Sequence, residues 1–209
     1  TEMSEKPVRP ELLAWLEGKE DELSAEEKKV IKAFAGDLEE AHAHGCELVK
    51  DIAKVNPIYS DIVITTNGGY PLDQNIYQTV KGMTAGEACV NKGGVIIICS
   101  SCADGTGGEF FYKLLADEPS AEAAYQKLND VEPSDTEFDQ WEAQILARIL
   151  CKAHVIIVSD KCDPNIITSM HIDHAYTLDE AIKKAQHSGN VVQNNFNIKW
   201  YIYSTTNSK

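Results

Sequence analysis

Gln74, Tyr77, Gln78 and Lys81 recur at i, i+3, i+4 and i+7 within the run NGGYPLDQNIYQTVKGM, residues 67 to 83. That spacing lines one face of a helix, while Ile76, Val80 and Met83 fall on the opposite side. Lysine offers a point charge to a carboxylate or phosphate, glutamine both donates and accepts, and tyrosine brings a ring with a hydroxyl. Such a set could orient a small hydroxy acid, and an ordinary solvated helix face would show the same spacing.

Other residues could also do chemistry. SCADGTGGE, residues 101 to 109, is a glycine-rich turn in which the amides of Gly105, Thr106, Gly107 and Gly108 could cradle an anion. Phe110 stands where G-x-G-x-x-G needs its third glycine and no P-loop lysine follows, so close backbone packing is the other reading. Cys99 and Cys102 form a C-x-x-C that suits a redox pair or half a zinc site, but no second C-x-x-C accompanies it. His171 and His174 flank Asp173 and could hold a metal or be plain surface groups. Trp141 shares a helical pattern with Phe138, Ile145 and Ile149, which fits core packing.

Elements must position these groups. Residues 1–29 read as a charged helical leader, with PELLAWLEG as a short amphipathic piece and a capping box from Ser24 to Glu27. VIKAFAG is expected as a strand, and a helix capped by Asp37 follows, ending near Val55 before Asn56-Pro57. DIVITT (61–66), GGVIIICS (93–100) and AHVIIVSD (153–160) are short, β-branched, nearly all-apolar runs, the pattern of buried parallel strands. Helices are expected in the 74–83 run, at EFFYKLL, at AEAAYQKL after Ser120, from Ser134 and Glu137 through EFDQWEAQILARIL, and at LDEAIKKAQ after Thr177, with Gly189 at its end. Asp163-Pro164-Asn165 reads as a turn, and IKWYIYS could be an edge strand. Alternation of this kind predicts an α/β fold, a layered, mainly parallel, Rossmann-like sheet flanked by helices in a single domain, with ligands expected at the carboxyl ends of its strands.

Composition narrows the partners. The chain has 209 residues, 43% hydrophobic and 25% charged, which suits one globular domain. Thirty-three acidic against nineteen basic side chains give a net charge of -14, which repels nucleic acid and anionic membranes alike. No apolar run reaches eighteen residues and the N-terminal TEMSEKPVRPE lacks the features of a secretory signal, so a cytoplasmic location with six reduced cysteines is expected.

SDIVITTNGGYPLDQNIYQTVKGMTAGEACVNKGGVIII, CADGTGGEFFYKLL and DQWEAQILARIL together resemble the C-terminal domain of the nickel-dependent lactate racemase family. The likeness extends from about residue 30 to 186, with G-Y-P-L-D-Q-N followed by Y-Q-x-x-K as its most specific part. It implies a domain over residues 30–190 and a divergent tail at 191–209. It also implies a two-domain enzyme closing over a nickel-pincer nucleotide, which takes the Cα hydride of a 2-hydroxy acid such as lactate and returns it to either face through an oxoacid. By the same resemblance, Lys81 would pair with the substrate carboxylate and Gln78 would hydrogen bond substrate or cofactor. Tyr77 and Trp141 would line the pocket, with Gln74 alongside.

The resemblance places the nickel ligand, the lysine joined to the pincer and the acid and base histidines in an N-terminal domain with no counterpart in this sequence. The expectation is therefore a chain that binds no cofactor and turns nothing over alone, partnered by that missing domain. Its tail, VVQNNFNIKWYIYSTTNSK, lacks the Pro- and Gly-rich ending the family leads one to expect. Two other readings stand beside this one: a non-catalytic module binding a phosphate or carboxylate metabolite through the GTGG turn and Lys81, and a redox module using Cys99 and Cys102.

Overall fold

A computed structural model describes residues 31–54 and 56–187, and the backbone of 198–200. The leader, Gly189 and the tail outside 198–200 lie outside the described residues. The chain divides into two compact units, residues 1–56 and 57–209. In the first, helix α1 (Leu38–Ala53) starts where expected: Asp37 accepts from the amides of Glu39 and Glu40 at 3.0 and 3.3 Å. That satisfies two donors a helix start would otherwise leave open. The strand expected in VIKAFAG is absent, and residues 31–35 are irregular. Among the described residues no strand pairs with them, so β-branched composition had nothing there to act on.

The second unit is built on a five-stranded, all-parallel sheet in the order β4-β3-β2-β1-β5. The strands are β1 (Ser60–Thr66), β2 (Val90–Cys99), β3 (His154–Val158), β4 (Asp173–Ala175) and β5 (Ile198–Trp200). Between them run α2 (Ile76–Cys89), α3 (Glu109–Ala116), α4 (Ala121–Asn129), α5 (Gln140–Lys152), α6 (Pro164–Ser169) and α7 (Leu178–His187). The three apolar runs are the central strands, and IKW supplies the expected edge strand beside β1. Strand β4 was not anticipated, because three residues carry too little pattern. Asp163 is a helix N-cap, accepting from the Asn165 amide at 2.9 Å, so the Asp-Pro-Asn turn opens α6.

Register explains the near-continuous hydrophobic strands. Val63, Ile96 and Val155 sit in one cross-strand row and face α2 to α6, joining Ile76, Val80, Met83, Phe111, Leu146 and Ile149 in the larger core. The next row, Ile64, Ile97 and Ile156, faces the other way, toward Ala181 and Ala185 of α7. Side chains alternate along a strand, so burial on both faces needs apolar residues at every position. Helix α2 comes down onto the sheet through Gly82 and Gly86, where a Cβ would lie 2.9 Å from Ile98 and Ile96 respectively.

Phe111 is fully buried and stacks edge-on against Tyr77 at 5.3 Å. Phe111→Ala is expected to cost about 3–5 kcal/mol of stability, read as a lower urea midpoint. A change under about 1 kcal/mol would remove it from the core.

Candidate active site

The site is built where the loops after β1 and β2 lie against each other. Four backbone bonds join them: Cys102 N–H to Asp73 O (2.8 Å), Asp104 N–H to Gln74 O (2.8 Å), Ile76 N–H to Gly105 O (2.9 Å) and Tyr77 N–H to Thr106 O (3.1 Å). Asn75 is the N-cap of α2 and accepts from the Gln78 amide at 2.9 Å. From below, the Asn67 side chain donates to Leu72 O and to Gln78 O. The first amides of α2 are thus all taken within the protein, as buried donors must be.

This geometry changes part of the expected stripe. Helix α2 begins at Ile76, so Gln74 precedes the N-cap and does not share the helical line. A side-chain cap at Asn75 competes successfully with a further helical turn toward Gln74. Tyr77, Gln78 and Lys81 do share it, opposite the buried Ile76, Val80 and Met83. Lys81 is exposed and donates to Gln78 Oε1 at 2.6 Å.

In the glycine loop, the carbonyls of Gly105 and Thr106 hold the α2 start, and the Gly105 amide bonds to Cys102 O at 3.0 Å. Gly107 has φ +82°, and a Cβ there would lie 2.5 Å from the Asn75 side chain. Gly108 is the N-cap of α3. Close backbone packing accounts for these contacts.

Trp141 joins the stripe from α5. Its ring meets Tyr77 edge-on at 5.9 Å, and it is 52% exposed, so it is not a core residue. The helix that carries it begins at Gln140, six residues after Ser134, because Asp139 adopts a left-handed conformation (φ 60°). Phe138 is left outside the helix, 79% exposed, with its ring 6.3 Å from Phe110.

Next to Trp141 is a residue the sequence did not single out. Glu142 is 1% exposed, and its Oε1 has no hydrogen-bond partner among the described residues. Burial pushes its carboxyl up to about 7, with Lys81 pulling it down and Asp139 pushing it further up. The Tyr77 hydroxyl is raised by burial, then by Asp139 and Glu142, against a hydrogen bond from Trp141.

The other candidates lie apart. Burial raises the thiols of Cys99 and Cys102, which disfavours the thiolate that redox or metal chemistry needs, and all six cysteines are free. His171 and His174 bond to different carbonyls, Leu115 O (3.1 Å) and Ser159 O (2.8 Å), which is structural work for both rings. A cleft of about 310 Å3 at the ends of β2 and β3 is lined by Asp73, Ser100, Ser101, Ser159 and Lys161 among others, but by no stripe residue. Of the stripe, Lys81 is exposed and Tyr77 and Gln78 are half-buried. No described helix is long and apolar enough to cross a membrane.

The fold is that of a parallel α/β domain, a class in which ligands usually meet the loops at the strands' carboxyl ends, and here the loops after β1 and β2 are bonded together at that end. Residues 55–198 match the family model described as lactate racemase C-terminal domain, and the chain belongs to that family. It is 54% identical over 160 residues to a lactate racemase of Lactiplantibacillus plantarum, covering 77% of this chain and 38% of the relative. With a lactate racemase of Thermoanaerobacterium thermosaccharolyticum the identity is 52% over 158 residues, covering 76% and 37%. The solved lactate racemase apoprotein from the latter organism superposes with a TM-score of 0.72 at 49% identity, covering 82% of this chain and 40% of that one. The chain thus spans about two-fifths of the length of these relatives.

The raised carboxyl of Glu142 has a consequence for stability. The folded state holds this proton up to about pH 7, whereas an unfolded glutamate releases it near 4.5. Its contribution to stability therefore falls as pH rises from about 4.5 through 7. Glu142→Gln mimics the neutral acid, and its stability, read from urea unfolding, should gain on the native chain's as pH goes from 5 to 8, by at most on the order of 3 kcal/mol. A constant difference between the two proteins across that range would contradict it.

Proposed function

We propose that this chain is the substrate-facing C-terminal domain of a lactate-racemase-like 2-hydroxyacid racemase or epimerase. The observation that carries the reading is the helix line of half-buried Tyr77 and Gln78 and exposed Lys81, edged by Trp141, in a member of this family that spans about two-fifths of its relatives. In this reading the stripe faces a partner domain, with the ligand between them.

The donors here are an ammonium, an amide, a phenol and an indole, which suit an organic acid and the periphery of a nucleotide. Among the described residues no group of three His, Cys, Asp or Glu could hold a metal, and in this reading nickel coordination belongs to the partner domain. When bound, the nickel-pincer nucleotide supplies the acceptor for the substrate's Cα hydride. Lys81 pairs its ammonium with the substrate carboxylate and, with three N–H donors, keeps its bond to Gln78. Gln78 has its side-chain NH2 left to donate to the substrate hydroxyl or to the cofactor. Tyr77 and Trp141 wall the site and keep water from a charge pair that water would weaken. Fixing the carboxylate while the Cα geometry flattens is the service this surface gives to a reaction that must return hydrogen to either face.

In the complete enzyme, Lys81→Ala should lower kcat/KM on the order of 100-fold, and because Lys81 is exposed the fold should survive. An unchanged kcat/KM would take Lys81 out of the mechanism. The 209-residue chain alone, freed of any tag, should neither racemise lactate nor retain equimolar nickel. Tight equimolar nickel in it would overturn the division of labour.

A further inference from the structure

Glu142 has no place in the mechanism above, yet it adjoins Trp141 on α5. Its side chain is buried on α5 beside Trp141, and Oε1 has no hydrogen-bond partner among the described residues. A buried carboxylate oxygen without a donor is costly, and the donors that could relieve it must come from groups packed around it. Among the described residues, the charges that act on Glu142 are Lys81 from α2 and Asp139 at the start of its own helix. Tyr77 of α2 feels both carboxylates, and α3 and α4, which also pack on α5, contribute no charge to Glu142. Helices α2 and α5 pack together with Tyr77 against Trp141 at 5.9 Å, and Lys81, one turn beyond Tyr77, is the cation that α2 places on this side to answer the carboxylate.

We propose that Glu142 is a positioning residue, the internal counter-charge that governs how Lys81 presents its ammonium to an anion over the stripe. The inference rests on the reading of Lys81 as the carboxylate-binding group. When Glu142 is ionised it draws the ammonium inward and offsets its charge. When Glu142 is protonated, Lys81 stays on Gln78 Oε1 with its charge undiminished toward solvent. Burial keeps the Glu142 carboxyl up to about 7, so the exchange falls in the neutral range. The surface should hold a carboxylate more firmly below neutrality than above it. By linkage, a bound carboxylate must in turn favour the protonated form of Glu142.

Two measurements decide this. The first uses the 209-residue chain without ligand: Glu142 is titrated by carbon-detected NMR, with Glu142→Gln to assign the signal. In Lys81→Met the midpoint should move up by about one pH unit, since a favourable cation has been removed. A midpoint that stays where it was would overturn the proposal, whatever the enzyme's activity.

The second uses the complete, cofactor-loaded enzyme. KM for lactate should rise between pH 6 and 8 by roughly threefold to tenfold, and in Glu142→Gln that rise should vanish while kcat is largely kept. Glu142→Asp should restore a pH-dependent KM. A Glu142→Gln enzyme with the native pH profile of KM would refute the counter-charge role. Should the loaded native enzyme not racemise 2-hydroxy acids at all, the proposed function falls, and the NMR titration still decides whether Glu142 and Lys81 are coupled.

Discussion

The amides of Ile76 and Tyr77 donate to the carbonyls of Gly105 and Thr106, and the candidate site depends on those two bonds and their neighbours at Asp73 and Gln74. A helix start leaves its first amides without partners. Here the loop after the next strand supplies them, so the helix that carries Tyr77, Gln78 and Lys81 is registered against β2 as well as against its own strand. Gly107 makes the approach possible, because any side chain there would run into Asn75. The hydrogen bonds between this pair of loops fix the helix start from which half-buried Gln78 and exposed Lys81 project.

The surface above the clamp mixes opposite demands. An anion-binding face needs a cation free to reach out, while a packed helix pair needs its charges satisfied. Tyr77 answers both, with its ring lodged against Phe111 and Trp141 and its hydroxyl among the charges. Gln78 does so too, its backbone carbonyl held by Asn67 and its side chain holding Lys81. Glu142 is the group for which the compromise is least complete, with one oxygen unanswered.

The sheet was readable because burial on both faces writes a clear signal: IVI, VIII and VIIV at the centres of β1, β2 and β3 have no polar position among them. The side of α2 that meets the sheet was readable for the same reason. What escaped notice depends on contacts between distant segments. Gln74 fits the helical period, but Asn75 caps the helix first. Ser134 and Glu137 spell a capping box, yet the chain turns through a left-handed Asp139 before α5 begins. Glu142 reads as one more polar residue on an amphipathic helix, and only the folded structure, where α2, α3 and α4 pack on α5, shows it out of water. Helical spacing alone put Trp141 in the core, whereas the structure has it half exposed with its ring against Tyr77.

Strand β1 has neighbours on both sides only because β5, formed by residues 198–200, lies along the edge that β2 leaves open. The segment between them in sequence includes every other strand of the sheet. During synthesis, β1 emerges early and waits with an unpaired edge until nearly the whole of this unit has left the ribosome. Its row of apolar side chains and unsatisfied backbone groups is then a template open to any extended chain nearby. Three residues near the far end of the unit thus act as a stopper for its oldest strand.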